Sequence, residues 1–274
     1  DYDGWHIVLS TLNNEYVDLR EKLIKNGGYG LTHICKIEKQ DGSILNFDEA
    51  YNVIKAFTYY LSFARGLWVA PILVSGFNKD GYQVMEEWRC PIIQADRWNQ
   101  GYSWLYDCFE ETIIVDIFPY FMQRWQDDMW QDVMRNCIQW LMEGLHYNRS
   151  ENTSIILFQA ALEKLSWTYI KSKDCLSGEG FKKLRVADQI RLLISFLNIP
   201  IISFDEYPYL EKKAKERNWK DSLQALTEVR NVIIHPEIKD TSSFLSIEIL
   251  EETTSIAKNY LLHSLLEICS HDLQ

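Results

Sequence analysis

The chain lacks the simplest sequence signs of a membrane, metal or phosphate-loop protein. No run approaches the roughly 18 apolar residues of a membrane-spanning helix. It contains no C-x-x-C pair, no H-E-x-x-H and no EF-hand pattern, so the sequence offers no basis for a metal site. Its glycines form neither G-x-G-x-x-G nor a P-loop, and Gly27-Gly28-Tyr29-Gly30 precedes a strand pattern, whereas a phosphate-binding loop opens a helix. We therefore expect no membrane span, no metal and no cofactor.

A surplus of positive charge is also missing. The 28 Lys and Arg residues face 39 Asp and Glu residues, which gives a net charge of −11 and disfavours broad, non-specific binding of polyanions. Residues 171–220 are the exception, because they hold eleven basic and seven acidic residues. Solvated helix faces would explain this segment equally well. If the chain binds RNA, the candidate contacts are Lys182, Lys183, Arg185, Lys212 and Lys213.

Composition and cysteine usage bound the class of protein. Hydrophobic residues make up 47% of the 274 residues and aromatic residues 14%, which is ample for buried cores in two domains. The six cysteines are scattered, and such thiols are typical of the reducing cytoplasm. The first position is Asp1, without a signal pattern, so we expect a piece of a longer chain.

Residues 1–117 predict a small α+β domain of unassigned role. Turn signals at residues 40–43 and 78–81 each predict a hairpin, and Asn46 can cap a helix whose apolar positions recur at helical spacing. The predicted strands are Trp5–Leu9, Leu31–Lys39 with Ile44–Leu45, and Leu67–Phe77 with Tyr82–Trp88, and the predicted helices are Asn13–Lys25 and Phe47–Arg65.

Residues 118–274 predict an all-α bundle, because segments of helical period follow one another with no alternating run between them. Pro200 stops one of these segments and Pro236 another. The predicted helices are Tyr120–Tyr147, one capped by Asn152, Phe181–Leu197, a short segment Tyr209–Arg217, Asp221–Ile234 and Ser246–Ser270.

The most informative motif lies at the end of the Asp221–Ile234 helix. Arg230, Asn231 and His235 fall within six residues, immediately before Pro236, which pushes His235 out of the α region. Arg offers a planar fork of donors that suits phosphate oxygens, and His moves protons near neutral pH. Such a set could cleave a phosphodiester without a metal. An ordinary helix end with basic residues in its last turn is the alternative interpretation.

This motif resembles the R-x4–6-H motif of the HEPN superfamily, in which a polar residue often follows the Arg. Upstream, the stretch from Gln159 to Leu165 resembles the first core helix of HEPN proteins from bacterial defence loci. The resemblance covers roughly residues 120–274 and implies an HEPN-like helical bundle. It also implies that Glu163, one turn after Gln159, could orient Arg230. A solvent-exposed Glu on an amphipathic helix is the alternative.

The resemblance implies a metal-independent endoribonuclease of bacterial stress response or anti-phage defence, of the toxin type. RNA would be the substrate, His235 the general acid or base, Arg230 the group that neutralises phosphoryl charge, and Asn231 an orienting residue. It further implies a homodimer through residues 118–274, with residues 1–117 as sensor or restraint. A non-catalytic module for dimerisation or nucleotide binding is the alternative, and a helical structural domain with a chance motif is the third hypothesis.

Overall fold

The computed structural model describes residues 1–12, 16–88, 90–91, 93–98, 113–146, 149–235 and 245–270. The chain divides into two compact units, Asp1–Met122 and Gln123–Gln274. The first unit combines strands with helices, and the described part of the second is helical. The outer ends of two predicted helices, at Asn13 and Tyr147, lie outside the described residues.

The first unit contains two small antiparallel sheets of two strands each, β1 with β2 and β3 with β4. Between the strands lie a short helix and a longer one. In chain order the elements are β1 (Trp5–Thr11), α1 (Tyr16–Lys25), β2 (His33–Lys39), α2 (Phe47–Arg65), β3 (Ser75–Phe77) and β4 (Gln83–Glu86).

Helix α2 forms the core of the first unit and has the predicted bounds. The Asn46 side chain caps it by accepting a hydrogen bond from the backbone N–H of Asp48, at 2.8 Å. Gly66 ends it in the left-handed conformation, with φ at 72°. The buried ring of Tyr60 lies 5.1 Å from that of Phe118, on the next helix, α3 (Ile113–Gln126). Aromatic packing between these helices therefore stabilises the unit.

One predicted hairpin is wrong. Strand β2 pairs with β1 across the intervening helix, with Trp5 opposite Lys39, and not with Ile44–Leu45, which are not in a strand. The turn at residues 40–43 leads instead to Asn46, the cap of α2. Gly42 therefore belongs to a loop before a helix and not to a hairpin turn. The second predicted hairpin is present, with strands shorter than predicted.

In the second unit the helices pack around a central helix, α5. This helix contacts α4, α7, α9 and α10. The helices that follow α3 are α4 (Asp128–Leu145), α5 (Glu151–Ser172), α6 (Gly178–Lys182), α7 (Val186–Phe196), α8 (Pro208–Arg217), α9 (Ser222–Ile234) and α10 (Ile247–Ile268).

Helices α4 and α5 run antiparallel and approach closely at one end. Ser154 Oγ donates to the carbonyl of Gly144 at 2.8 Å, and at the other end Lys164 Nζ contacts Asp132 at 2.7 Å. A Cβ on Gly144 would lie 2.3 Å from Cε1 of Phe158, which is fully buried. Only glycine therefore fits at this crossing.

Two helices that the sequence predicts as continuous are interrupted. The Tyr120–Tyr147 segment breaks at Asp127, whose side chain accepts from the N–H groups of Met129 and Trp130 and so starts α4. The Phe181–Leu197 segment is divided into α6 and α7, which begins after Arg185. Apolar spacing continues across both breaks, so periodicity alone does not reveal them.

Candidate functional site

Helix α9 carries the Arg230 motif, and its first turn is fixed by a chain of ionic contacts. The Asp221 carboxylate caps the helix by accepting from the N–H of Gln224 at 2.9 Å. The same carboxylate receives the Arg191 guanidinium of α7 in a bidentate pair, at 2.7 and 2.9 Å. Bidentate Arg–carboxylate pairs restrict both distance and orientation. Helix α9 is therefore tied to α7 at the end opposite the motif.

A second, buried network attaches the same turn to α10. Ser222 and Tyr260 are fully buried, and their hydroxyl oxygens are 2.8 Å apart. Ser222 Oγ donates to the carbonyl of Ile202, and the Tyr260 oxygen accepts from the Ile202 N–H, each at 2.8 Å. Burial raises the pKa of Tyr260, so the hydroxyl stays protonated at neutral pH. The beginning of α9 thus has a well-defined position.

The C-terminal end of α9 lies where the sequence predicts it. The helix ends at Ile234, and His235 follows in extended backbone, with φ at −98° and ψ at 113°. The N–H of His235 still bonds to the carbonyl of Asn231, at 2.9 Å, while its side chain is exposed. The imidazole is therefore accessible to solvent.

Arg230 is half-buried and has no acidic partner among the described residues. Its Nε is shielded from solvent, and no described residue supplies it with a hydrogen-bond acceptor. Within the described ranges, its side chain makes one hydrogen bond, a long one from Nη1 to Asn231 Oδ1 at 3.5 Å. Because a partly desolvated cation is costly when it is unpaired, this guanidinium favours an anion as its ligand.

Glu163 does not pair with Arg230 in the described structure. Its Oε1 accepts instead from Nε2 of Gln159, one turn earlier on α5, at 2.9 Å. Gln159 is fully buried, and none of the described residues gives its Oε1 a hydrogen bond. Asn231 likewise bonds to Arg230 and not to the ring of His235.

The candidate RNA contacts lie on separate elements. Lys182 and Lys183 are exposed at the end of α6, and Arg185 is exposed before α7. Lys212 is exposed on α8, where Lys213 pairs with Glu216 at 3.2 Å. No hydrogen bond or ion pair joins any of these five side chains to Arg230 or His235 in the described part of the chain.

Buried polar atoms without partners recur on the helices around α9. Besides Arg230 Nε, they include Gln159 Oε1 on α5, and Thr254 Oγ1 and Ser264 Oγ on α10. Trp130 Nε1 on α4 and Glu151 Oε2 at the start of α5 also lack a partner among the described residues, so these atoms are spread over the bundle and do not mark one region. Only the tertiary packing reveals that Gln159, one turn before Glu163 on the same helix, is buried.

The described residues meet the requirements neither of a metal site nor of a membrane span. No three of their His, Cys, Asp or Glu side chains are grouped closely enough to hold a metal ion. No described helix is both long and apolar enough to cross a bilayer.

Comparison with known proteins corrects the resemblance drawn from the sequence. The YopA central domain matches residues 1–100, and the YopA C-terminal domain matches residues 127–273, more than half of the chain. No HEPN family is found, so the predicted membership of the HEPN superfamily is wrong. A short Arg/His pattern at a helix end recurs in unrelated chains, and here it misled the assignment.

A relative from Bacillus subtilis (strain 168) is described as an SPbeta prophage-derived uncharacterized protein YopA. It is 24% identical over 239 residues, which are 86% of this chain and 52% of the relative. The chain thus spans about half the length of the curated relative it matches. No solved structure matches the chain. From the two domain matches, we conclude that the chain belongs to the YopA family.

Proposed function

We propose that the helical unit cleaves RNA without a metal ion, at Arg230 and His235. The observation that carries the proposal is the state of Arg230, a half-buried cation with an unsatisfied Nε and no acidic partner among the described residues. A phosphodiester supplies the anionic oxygens that this guanidinium lacks. The exposed imidazole of His235 follows five residues further along the chain, just beyond the end of α9.

The proposed reaction is an internal transfer within the RNA. The 2′-oxygen forms a bond to the adjacent phosphorus, and the bond from phosphorus to the 5′-oxygen breaks. His235 takes the proton of the 2′-OH, and the departing 5′-oxygen receives a proton from water. Arg230 stabilises the charge that develops on the phosphoryl oxygens. The products are a 2′,3′-cyclic phosphate and a 5′-OH.

A binding module without catalysis is the second candidate. It is favoured by the hydrogen bonds of Asn231, whose side chain contacts Arg230 and leaves the His235 ring without an orienting partner among the described residues. In that case the same guanidinium would hold the phosphate of a nucleotide or of RNA, with no bond broken. The acidic chain, at −11, also suits a small or single-stranded ligand better than a long duplex.

The proposed setting is the cytoplasm of a bacterium that carries related prophage genes. The five described cysteines are free thiols, in keeping with a reducing compartment. The relative from strain 168 is prophage-derived, which supports a role in the encounter between phage and host. A homodimer stays part of the proposal, but an interface through residues 118–274 rested on the HEPN resemblance and loses that support.

The test is cleavage of a mixed-sequence RNA by the purified chain, with and without EDTA. We expect cleavage in EDTA, with 2′,3′-cyclic phosphate ends, and a loss of roughly 10²- to 10⁴-fold in His235→Ala. Arg230→Ala is expected to lose cleavage as well. Arg135→Ala is the matched control, since Arg135 is a partly exposed arginine of α4 that pairs with Asp132, and it should cleave normally. Cleavage that requires added Mg²⁺, or an unimpaired His235→Ala, would contradict the proposal.

If no cleavage is observed, RNA binding tests the second candidate. If wild type leaves the RNA intact but binds it, and Arg230→Ala binds less tightly while Arg135→Ala does not, the chain is a binding module. Equal and weak binding by all three proteins would exclude both functions at this motif.

A further inference from the structure

The hydrogen-bond pattern of the β1–β2 sheet defines a free edge on β1. The N–H of Leu12 bonds to the carbonyl of Thr32 at 3.0 Å, and the N–H of Gln40 bonds to the carbonyl of Gly4 at 2.8 Å. In an antiparallel pair, residues bonded to the partner strand alternate with residues whose N–H and C=O point away. The even-numbered residues of β1 therefore bond to β2, and Ile7, Leu9 and Thr11 direct their backbone groups outward.

These outward groups have no partner in the described structure. Trp5, next in the same series, is already bonded to Tyr2 in both directions, at 2.8 and 3.0 Å, so the free stretch begins at Ile7. Neighbouring side chains are also uncovered, since Leu9 is 42% and Val8 39% exposed. A two-stranded sheet is marginally stable by itself, and an added strand would satisfy both its backbone and its apolar side chains.

The two edges of this sheet differ in charge. Strand β2 carries Lys36, Glu38 and Lys39, and charged side chains, Lys above all, are the usual protection of an edge against pairing. Strand β1 reads WHIVLST and contains no Asp, Glu, Lys or Arg. Pairing along β1 therefore brings no like charges together, even between two copies of a chain whose net charge is −11.

We propose that β1 is a dimerisation edge, which pairs antiparallel with β1 of a second copy of this chain around a twofold axis at Leu9. With the outward residues at 7, 9 and 11, Leu9 pairs with its own copy, and Ile7 pairs with the second copy's Thr11. Three such pairs make about six backbone hydrogen bonds. The product is a four-stranded sheet in which Leu9 contacts Leu9 across the axis, and Val8 lies opposite Ser10 on the other face.

The test is the mass of the purified chain by light scattering over a dilution series. A dimer has twice the monomer mass of 32.4 kDa. Leu9→Lys places two like charges face to face on the axis and should raise the dissociation constant at least about tenfold. Thr11→Pro removes an outward N–H without touching the β1–β2 ladder and should do the same.

The matched control is Cys35→Lys. Cys35 lies directly opposite Leu9 on the same face of the sheet, but on β2. A lysine at this position therefore introduces the same charge away from the proposed edge. Its dimer should persist. Far-ultraviolet circular dichroism and thermal melts establish that all variants are folded. A wild type that is monomeric at every concentration overturns the proposal, and so does a dimer that both β1 variants leave unchanged. A monomer would also remove the homodimer from the proposed function, but RNA cleavage is a separate readout, so failure of the β1 dimer and failure of the proposed cleavage are distinguishable.

Discussion

Replacing Tyr260 with phenylalanine removes one oxygen that serves two groups at the start of α9. Ser222 Oγ gives its proton to the Ile202 carbonyl, so the Tyr260 hydroxyl has to donate to Ser222 Oγ while its oxygen accepts the Ile202 N–H. In the variant the Ile202 N–H loses its acceptor, whereas Ser222 keeps its bond to the Ile202 carbonyl. The ring itself, fully buried, is unchanged.

The expected loss of stability follows from the one N–H group, that of Ile202, which loses its acceptor. A buried donor left without an acceptor costs about 1–3 kcal/mol, and the Ile202 backbone is only partly buried, so we expect about 1.5 kcal/mol. For a unit of this size the melting temperature should fall by about 3–6 °C. Because burial raises the pKa of Tyr260, the hydroxyl is neutral in both folded and unfolded chains near pH 7, and the loss should not vary between pH 6 and about 8.

The measurement is urea unfolding followed by circular dichroism, with Tyr169→Phe as control. The Tyr169 ring is half-buried, and its hydroxyl has no hydrogen-bond partner among the described residues. The control should unfold at nearly the wild-type midpoint. Equal midpoints for the two variants would refute the assignment of the Tyr260 hydroxyl as a shared link between α9 and α10.

Three further changes probe the helical unit. Gly144→Ala should destabilise it by about 1–3 kcal/mol in thermal melts, because the added Cβ would clash with the Phe158 ring. Phe158→Leu in the same chain should recover part of that loss, and no recovery would mean that the added Cβ does not contact the ring. Arg191→Lys should lower stability in urea by about 1 kcal/mol, because a lysine does not reproduce the bidentate pair with Asp221; an unchanged midpoint would count against that pair. Arg230→Met should leave stability unchanged or raise it by up to about 1 kcal/mol, and a clear loss of stability would mean that the guanidinium is structurally paired.

Local signals in the sequence predicted some helix ends and missed others. Asn152 is the predicted cap of α5, but Ser150 starts that helix by accepting from the Thr153 N–H. Asn46 fixes the start of α2, and Asp221 and His235 bound α9, because capping and the restriction before proline act over a few residues. Asp127 shows the limit of this reasoning. It starts α4 in the middle of a continuous apolar stripe, where periodicity favours one long helix.

Long-range pairings were beyond that reasoning. Strand β2 pairs with residues far away along the chain: Lys39 lies opposite Trp5, 34 positions earlier, and His33 lies opposite Thr11, 22 positions earlier. A nearer turn signal had predicted a local hairpin instead. The same holds for the burial of Gln159 and for the ion pair between Arg191 and Asp221. Both depend on which helices pack together, and local sequence patterns do not specify that packing.

The two arginines associated with α9 show why the motif end is the better candidate for function. Arg191 meets Asp221 in a bidentate pair at the beginning of the helix, where its charge is neutralised and its role is structural. Arg230, near the other end, is half-buried, with an unsatisfied Nε and no acid in contact among the described residues. A fold that neutralises one arginine and leaves the next without a counter-charge loses stability there, and functional sites are where proteins retain such losses. We therefore expect a bound anion to be the partner of Arg230. Because the neighbouring His235 can move protons near neutral pH, a phosphodiester is the first anion to test.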